Sequence, residues 1–250
     1  MEATEPATWL WLWIPAGWAV LAAGWWLCIV PRLRRGPGGD ATLGLAWWAS
    51  TRWLRWRQHL EVHGVAHLNE AMAAGPVIIV ANHTGGVDPL LVQSATSTMI
   101  HWMMARDMMA AGTEDIWRLV RVIPVNRADA DARALRRAMG ILRSGGVIGV
   151  FPEGRITRPP GSIRPFQEGV GLLAARTRAR VVPCWISGTP DVDGMLASIA
   201  GRGRSRVEFL EPIRFDRSDA AAEVADDLRR RIAAASGWPC VDEPMPLILG

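Results

Sequence analysis

The hydrophobic pattern of the chain divides it into one long apolar run and a series of short ones. The long run, WLWLWIPAGWAVLAAGWWLCIV, extends from Trp9 to Val30 inside a stretch, residues 7–31, that has no charged side chain. Crossing a hydrocarbon core takes ~20 apolar residues, so the run is long enough to span. Further on, LEVHG, VIIVAN, IHWMMA, VIPV, GVIGVF, RVVPCWI and RVEFLE read as strands separated by segments of helical spacing. The clearest helices are residues 129–143, where Ala134, Leu135, Ala138, Met139 and Leu142 share a face, and SDAAAEVADDLRRRIAAA. In the latter, acidic residues come early and arginines late, the order a helix dipole favours. Strands alternating with helices predict an α/β sheet.

Charge placement qualifies the N-terminal run. Glu2 and Glu5 precede it and Arg32, Arg34 and Arg35 follow. A cleaved signal peptide carries its positive charge first, so the order favours a retained anchor with its arginines on the cytoplasmic side. Pro15 and Gly17 interrupt the run, which leaves a monotopic hairpin as the alternative. The next stretch, TLGLAWWASTRWLRWRQ, mixes tryptophan and arginine as a helix lying among headgroups does. Ten of the 14 tryptophans fall in the first 56 residues, which places the interfacial character at this end. Arginines near anionic lipid contribute on the order of 1 kcal/mol each. The expected organisation is a membrane anchor and interfacial helix over 1–60 and a catalytic domain over 61–250.

Composition then removes several function classes. All 28 cationic side chains are arginine, so a Walker-type phosphate loop, which needs lysine, is excluded. The arginines are scattered and do not form one basic face, which argues against nucleic acid as a partner. Cys28, Cys184 and Cys240 are far apart and odd in number, giving neither a disulfide framework nor a metal spacing; Cys184, inside VVPCWI, reads as a buried thiol. His59, His63 and His67 recur every four residues, but Gly64 and the strand-like LEVHG break the helix a metal face would need. No metal site is expected.

The candidate chemistry lies in two loops. In VIIVANHTGGVDPLL a strand delivers His83 and Asp88, and a Gly85-Gly86 turn lets two side chains converge that a regular helix would separate. Asp88 followed by Pro89 also has the form of a helix N-cap with proline at the first helical position, a role compatible with facing the histidine. The second strand, GGVIGVF, delivers FPEGRITR, which sets Glu153 and Gly154 beside Arg155 and Arg158. Glu153, between Pro152 and Gly154 and beside arginines, would anchor that loop or a bound ligand. PPGSIRPF, the most turn-prone stretch of the core, would shape the entrance, and Asp191 and Asp193 in TPDVDG read as turn residues.

These blocks resemble the glycerolipid and lysophospholipid acyltransferases of the 1-acylglycerol-3-phosphate acyltransferase type, over about residues 60–215. Asn82, His83 and Asp88 match the Asn-His-x4-Asp block and FPEG the third block; VIPVNR at 122–127 looks like the second and VVPCWISG at 181–188 like the fourth. The resemblance implies a mixed, largely parallel sheet flanked by helices, with an N-terminal membrane helix or two-helix motif. It implies His83 as general base, Asp88 as its orienter, and Arg127 and Arg155 as phosphate ligands. Arg155, Ile156 and Thr157 stand where the family usually has Thr then Arg, so the phosphate arginine of this loop is Arg155 or Arg158. Asn126 stands where Asp is common and Arg121 where Gly is common, which bears on the charge of the acceptor pocket.

An alcohol is a poor nucleophile at neutral pH, so acyl transfer from a thioester needs a base, worth ~10²- to 10⁴-fold in rate. The implied activity is membrane-bound O-acyl transfer from acyl-CoA or acyl carrier protein to a lysophospholipid, 1-acylglycerol 3-phosphate foremost, with no cofactor besides the acyl thioester. The catalytic domain would face the cytoplasm at the cytoplasmic membrane. Alternatives are lysophosphatidylethanolamine or a glycolipid as acceptor, a lipid hydrolase using His83 on water, and a non-catalytic lipid-binding protein. The chain has no Gly-x-Ser-x-Gly elbow, which argues against a serine lipase.

Overall fold

The computed structural model of the chain describes residues 10–110, 112–126 and 131–243. It contains two compact units, Met1–Ala49 and Ser50–Gly250.

In the first unit the apolar run forms α1 (Leu10–Gly24), a π-turn (Trp25–Ile29) and α2 (Val30–Leu33). Trp13–Leu33 is one helix, long and apolar enough by length and composition to cross a membrane. Pro15 and Gly17 both lie inside α1, so the helix is not broken where the hairpin alternative would break it. A single proline removes one backbone hydrogen bond, and here the helix continues past it. The chain then passes through Gly36 and a short 3₁₀ turn, Pro37–Gly39, and enters α3 (Ala41–Arg57). Asp40 caps α3 by accepting the N–H groups of Thr42 at 2.8 Å and Leu43 at 3.0 Å, which pulls its carboxyl below the ordinary range.

The second unit runs in chain order β1 (Glu61–His63), α4 (Val65–Ala73), β2 (Val77–Ala81), α5 (Asp88–Gln93), β3 (Ile100–Ala105), α6 (Glu114–Leu119) and β4 (Ile123–Val125). It continues with α7 (Ala132–Arg143), β5 (Val147–Val150), α8 (Glu168–Thr177), β6 (Arg180–Ser187), α9 (Met195–Ala200), β7 (Arg206–Phe209) and α10 (Ala221–Ser236). All seven expected strands form. They make one sheet of order β1-β7-β6-β2-β5-β3-β4, parallel throughout except for the antiparallel β6–β7 pair.

Every residue of β2 is buried, because both faces of the sheet are covered. Val77, Ile79 and Ala81 pack with Leu54 of α3 and Leu68 and Ala71 of α4. Ile78 and Val80 point the other way, toward Ala134, Ala138 and Leu142 of α7 and residues of α8 and α10. The helix expected over 129–143 starts at Ala132, since Asp131 caps it by accepting from Arg133 and Ala134; residues 129 and 130 lie outside the described set. In α10 the acidic half of the dipole ordering is present, with Glu223 in the first turn, and the basic half is not. No arginine falls in its last turn; Asp226–Arg230 at 2.7 Å and Asp227–Arg231 at 2.8 Å pair one turn apart along the helix.

Adjacent parallel strands release their loops at one edge. The segments after β2 and β5, neighbours in the sheet, therefore emerge side by side at the carboxyl ends, where open α/β sheets hold their sites.

Candidate active site

The residue that leaves the sheet first is Asn82. Its side chain donates to the Ile186 carbonyl at 2.9 Å and accepts the Ile186 N–H at 2.8 Å, so it clips the end of β2 to β6 just before the loop. His83 follows. Its Nδ1 lies 2.9 Å from Oδ2 of Asp88, and the same oxygen accepts the backbone N–H groups of Thr84 at 2.7 Å and Gly85 at 2.9 Å. Asp88 is fully buried, and three donors on one oxygen offset the cost of burying a carboxylate. A carboxylate only accepts, which assigns the imidazole proton to Nδ1 and leaves Nε2 as the basic nitrogen. The His83 side chain keeps 17% of its surface exposed, enough for a reactant to reach it.

Two local expectations change. Asp88 is the first residue of α5 and Val87 its N-cap, with Pro89 next. The Asp88 carboxylate turns back to the amides before it, so it closes the loop and does not cap the helix. Gly85 and Gly86 are absent from the positive-φ residues, so backbone freedom is not their contribution. They are there for space. A Cβ on Gly86 would sit 2.8 Å from the Met195 Cα of α9, and one on Gly85 would sit 3.1 Å from the hydroxyl oxygens of Ser198 and Thr189.

The loop after β5 is stitched to the histidine loop from two sides. Glu153 Oε1 accepts the His83 N–H at 3.0 Å, Glu153 Oε2 accepts the Thr157 hydroxyl, and the Thr157 N–H donates to the His83 carbonyl at 2.8 Å. Burial pushes the Glu153 carboxyl up, opposed by these hydrogen bonds. Gly154 adopts φ +73° and donates its N–H to the Phe151 carbonyl at 3.0 Å; a side chain there would be strained and would strike the Gln167 amide.

Arg158 uses its whole guanidinium as a brace. It donates to the Thr84 carbonyl at 2.6 Å and the Val192 carbonyl at 2.9 Å, and Nε pairs with Asp191 at 3.2 Å. Asp191, read from sequence as a turn residue, is therefore also an ion-pair partner. Arg155 sits half-buried on the same loop. Arg127 lies outside the described residues.

Several supporting groups come from far along the chain and carry no local signal. Thr189 donates to Thr84 Oγ1 at 3.0 Å, and the Ser198 hydroxyl, fully buried, accepts the Val87 N–H at 3.2 Å. Ser198 is held in turn by Gln58, which donates to its carbonyl at 2.9 Å. Cys184 is buried on β6 and burial raises its thiol far above the ordinary range, which makes it inert packing. Among the described residues no group of three or more His, Cys, Asp or Glu side chains is placed to hold a metal ion.

A partly exposed histidine hydrogen-bonded to a buried aspartate thus stands at the carboxyl edge of a mostly parallel sheet. The family model described as Acyltransferase matches residues 59–187, more than half of the 250-residue chain, and the chain belongs to that family. It is 30% identical over 122 residues to a chloroplastic 1-acyl-sn-glycerol-3-phosphate acyltransferase of Brassica napus, covering 46% of this chain and 33% of that one. It is also 30% identical over 116 residues to the 1-acyl-sn-glycerol-3-phosphate acyltransferase of Borreliella burgdorferi, covering 45% of this chain and 46% of that one. The chain thus matches less than half the length of these relatives. The fold is similar to that of the crystal structure of the 1-acyl-sn-glycerophosphate acyltransferase PlsC from Thermotoga maritima, with a TM-score of 0.58, 20% identity, and coverage of 76% of this chain and 79% of that one.

Proposed function

We propose that the protein is a membrane-bound O-acyltransferase that moves a fatty acyl group from acyl-CoA or acyl carrier protein to the free hydroxyl of a lysophospholipid, 1-acylglycerol 3-phosphate foremost. The observation that carries this reading is the 2.9 Å contact between His83 Nδ1 and a fully buried Asp88, in a chain of the Acyltransferase family. Nε2 takes the hydroxyl proton as the acceptor oxygen attacks the thioester carbonyl. Asp88 stabilises the imidazolium that forms. The tetrahedral intermediate collapses, the C–S bond breaks, and the thiolate takes the proton from His83. No enzyme-bound acyl intermediate is needed.

Arg127 and Arg155 are the proposed ligands of the acceptor phosphate, since guanidinium forks match phosphate oxygens. Arg158, committed to Thr84, Val192 and Asp191, serves the same site by holding the histidine loop, and Glu153 and Gly154 by shaping the loop that carries Arg155. The N-terminal helix, with the tryptophans and arginines of α3, would hold the enzyme at the cytoplasmic face of the membrane, where acceptor and product both reside.

The test is transfer of a labelled acyl group from acyl-CoA and acyl carrier protein to a panel of phosphomonoester and zwitterionic lysolipids in micelles, with His83→Ala beside the wild type. Acceptor-dependent product that disappears in the variant is expected. Free fatty acid formed without acceptor would instead establish a hydrolase, and equal product from both proteins would remove His83 from the mechanism.

A further inference from the structure

The hydrogen bond to Asp88 fixes where Nδ1 sits but holds the tilt of the His83 ring plane only loosely. Its face, however, is covered. The Phe151 ring lies on His83 with centroids 4.1 Å apart and planes 14° from parallel, and Trp102 lies on Phe151 at 4.7 Å and 8°. The column rests on the sheet. Trp102 of β3 is in register with Gly149 of β5, and a Cβ on Gly149 would come within 2.5 Å of the indole. Gly149 and Phe151 are two residues apart along an extended segment and so share a face. One strand thus supplies both the gap that seats Trp102 and the ring stacked on it.

Trp102 is nearly fully buried, yet among the described residues its Nε1–H finds no hydrogen-bond partner. A buried indole with an unmet donor is a costly way to fill space, because a phenyl ring would fill much of it without the donor. The extended flat face is what the position uses.

We infer that Phe151 and Trp102 are positioning residues for His83. The stack fixes the plane of the imidazole, so that Nε2 stays aimed at the acceptor hydroxyl while Nδ1 stays on Asp88, and it presents a π face to the imidazolium once the proton has transferred. The inference rests on the acyl-transfer reading for its kinetic consequence but not for its geometry, and the two are tested separately.

The experiment compares the wild-type protein with Phe151→Leu, Trp102→Leu and Trp102→Phe in micelles. One readout is steady-state acyl transfer with the acceptor varied; the other is the NMR position of the carbon-bound ring protons of His83 in imidazole-labelled protein, which needs no turnover. The leucine variants are expected to lower kcat by about 10- to 100-fold with the acceptor KM changed by less than about 2-fold, and Trp102→Phe, with a smaller flat face, to recover part of the loss. The His83 ring protons should move downfield in Phe151→Leu as the ring current is removed. Unchanged kcat in folded Phe151→Leu, a Trp102→Phe enzyme no better than Trp102→Leu, or unmoved His83 resonances would each overturn the inference. Phe151→Leu, at a half-buried position, decides the matter if Trp102→Leu does not fold. A wild type that shows the upfield His83 signals but transfers no acyl group would count against the proposed reaction and leave the stack standing.

Discussion

Glu153 holds the main chain of His83, while Asp88 holds its side chain. The first contact is 3.0 Å from the backbone N–H to Oε1, the second 2.9 Å from Nδ1 to Oδ2. Two carboxylates from two loops thus fix the two ends of one residue.

Replacing Asp88 with Asn keeps its volume but changes what it can accept. The three donors that converge on Oδ2 would meet an amide group with only one acceptor atom and two hydrogens of its own. A fall in kcat on the order of 10²- to 10⁴-fold is expected, with a smaller change in the acceptor KM. Steady-state kinetics on folded protein checks this.

Glu153→Ala would leave the His83 N–H without its partner. A loss of about 1–3 kcal/mol in unfolding free energy is expected, together with reduced kcat as the histidine loop loosens. Denaturant melts and kinetics on one sample measure both.

The pH dependence separates Glu153→Gln from wild type. Burial raises the Glu153 carboxyl above its ordinary value of 4.5, so the folded state holds that proton where the unfolded state has released it. Its contribution is complete below about 4.5 and is lost as pH rises toward the folded value. Wild type should therefore lose stability relative to Glu153→Gln as pH climbs from about 4.5, and level off above the folded pKa. A stability difference independent of pH across that window would refute the assignment.

Space explains the order expected among glycine substitutions. Gly86→Ala places a methyl 2.8 Å from the backbone of Met195, whereas Gly85→Ala meets hydroxyl side chains at 3.1 Å. Overpacking typically costs about 1–3 kcal/mol, and Gly86→Ala should be the more damaging of the two in thermal melts. It should also lower activity, since α9 must shift away from the loop that carries Asp88.

The N-terminal helix gives a cell-fractionation prediction. If Trp13–Leu33 spans the bilayer, the chain stays in the membrane pellet after alkaline carbonate washing; if the helix only dips among the headgroups, the wash releases it.

Much of this was legible in the sequence, for identifiable reasons. Buried parallel strands leave uninterrupted apolar runs, so β2, β5 and β6 were visible, and His83 and Asp88 stand five positions apart in one loop. What stayed hidden depends on contacts across the fold. Thr189 and Ser198 lie more than 100 positions from the loop they support, and nothing near them marks the partnership. The antiparallel pairing of β7 with β6 is likewise silent, since RVEFLE alternates as either orientation would. Gly85 and Gly86 read as a turn in the sequence, but their reason, the approach of α9, is not in their own neighbourhood. The aromatic column had a trace: a glycine two residues before Phe151 in an otherwise bulky strand is a gap that something must fill.

Asn82 has a wider consequence. With its carboxamide it reproduces both halves of a peptide group against Ile186, adding one rung to the sheet after the backbone of β2 has turned away. The scaffold is thereby prolonged by a side chain while the main chain is released to curve toward His83. Aspartate lacks the donor, leucine lacks both groups, and glutamine is one methylene too long to keep the spacing. Order and reactivity change over within the width of a single residue, and the join admits only one shape.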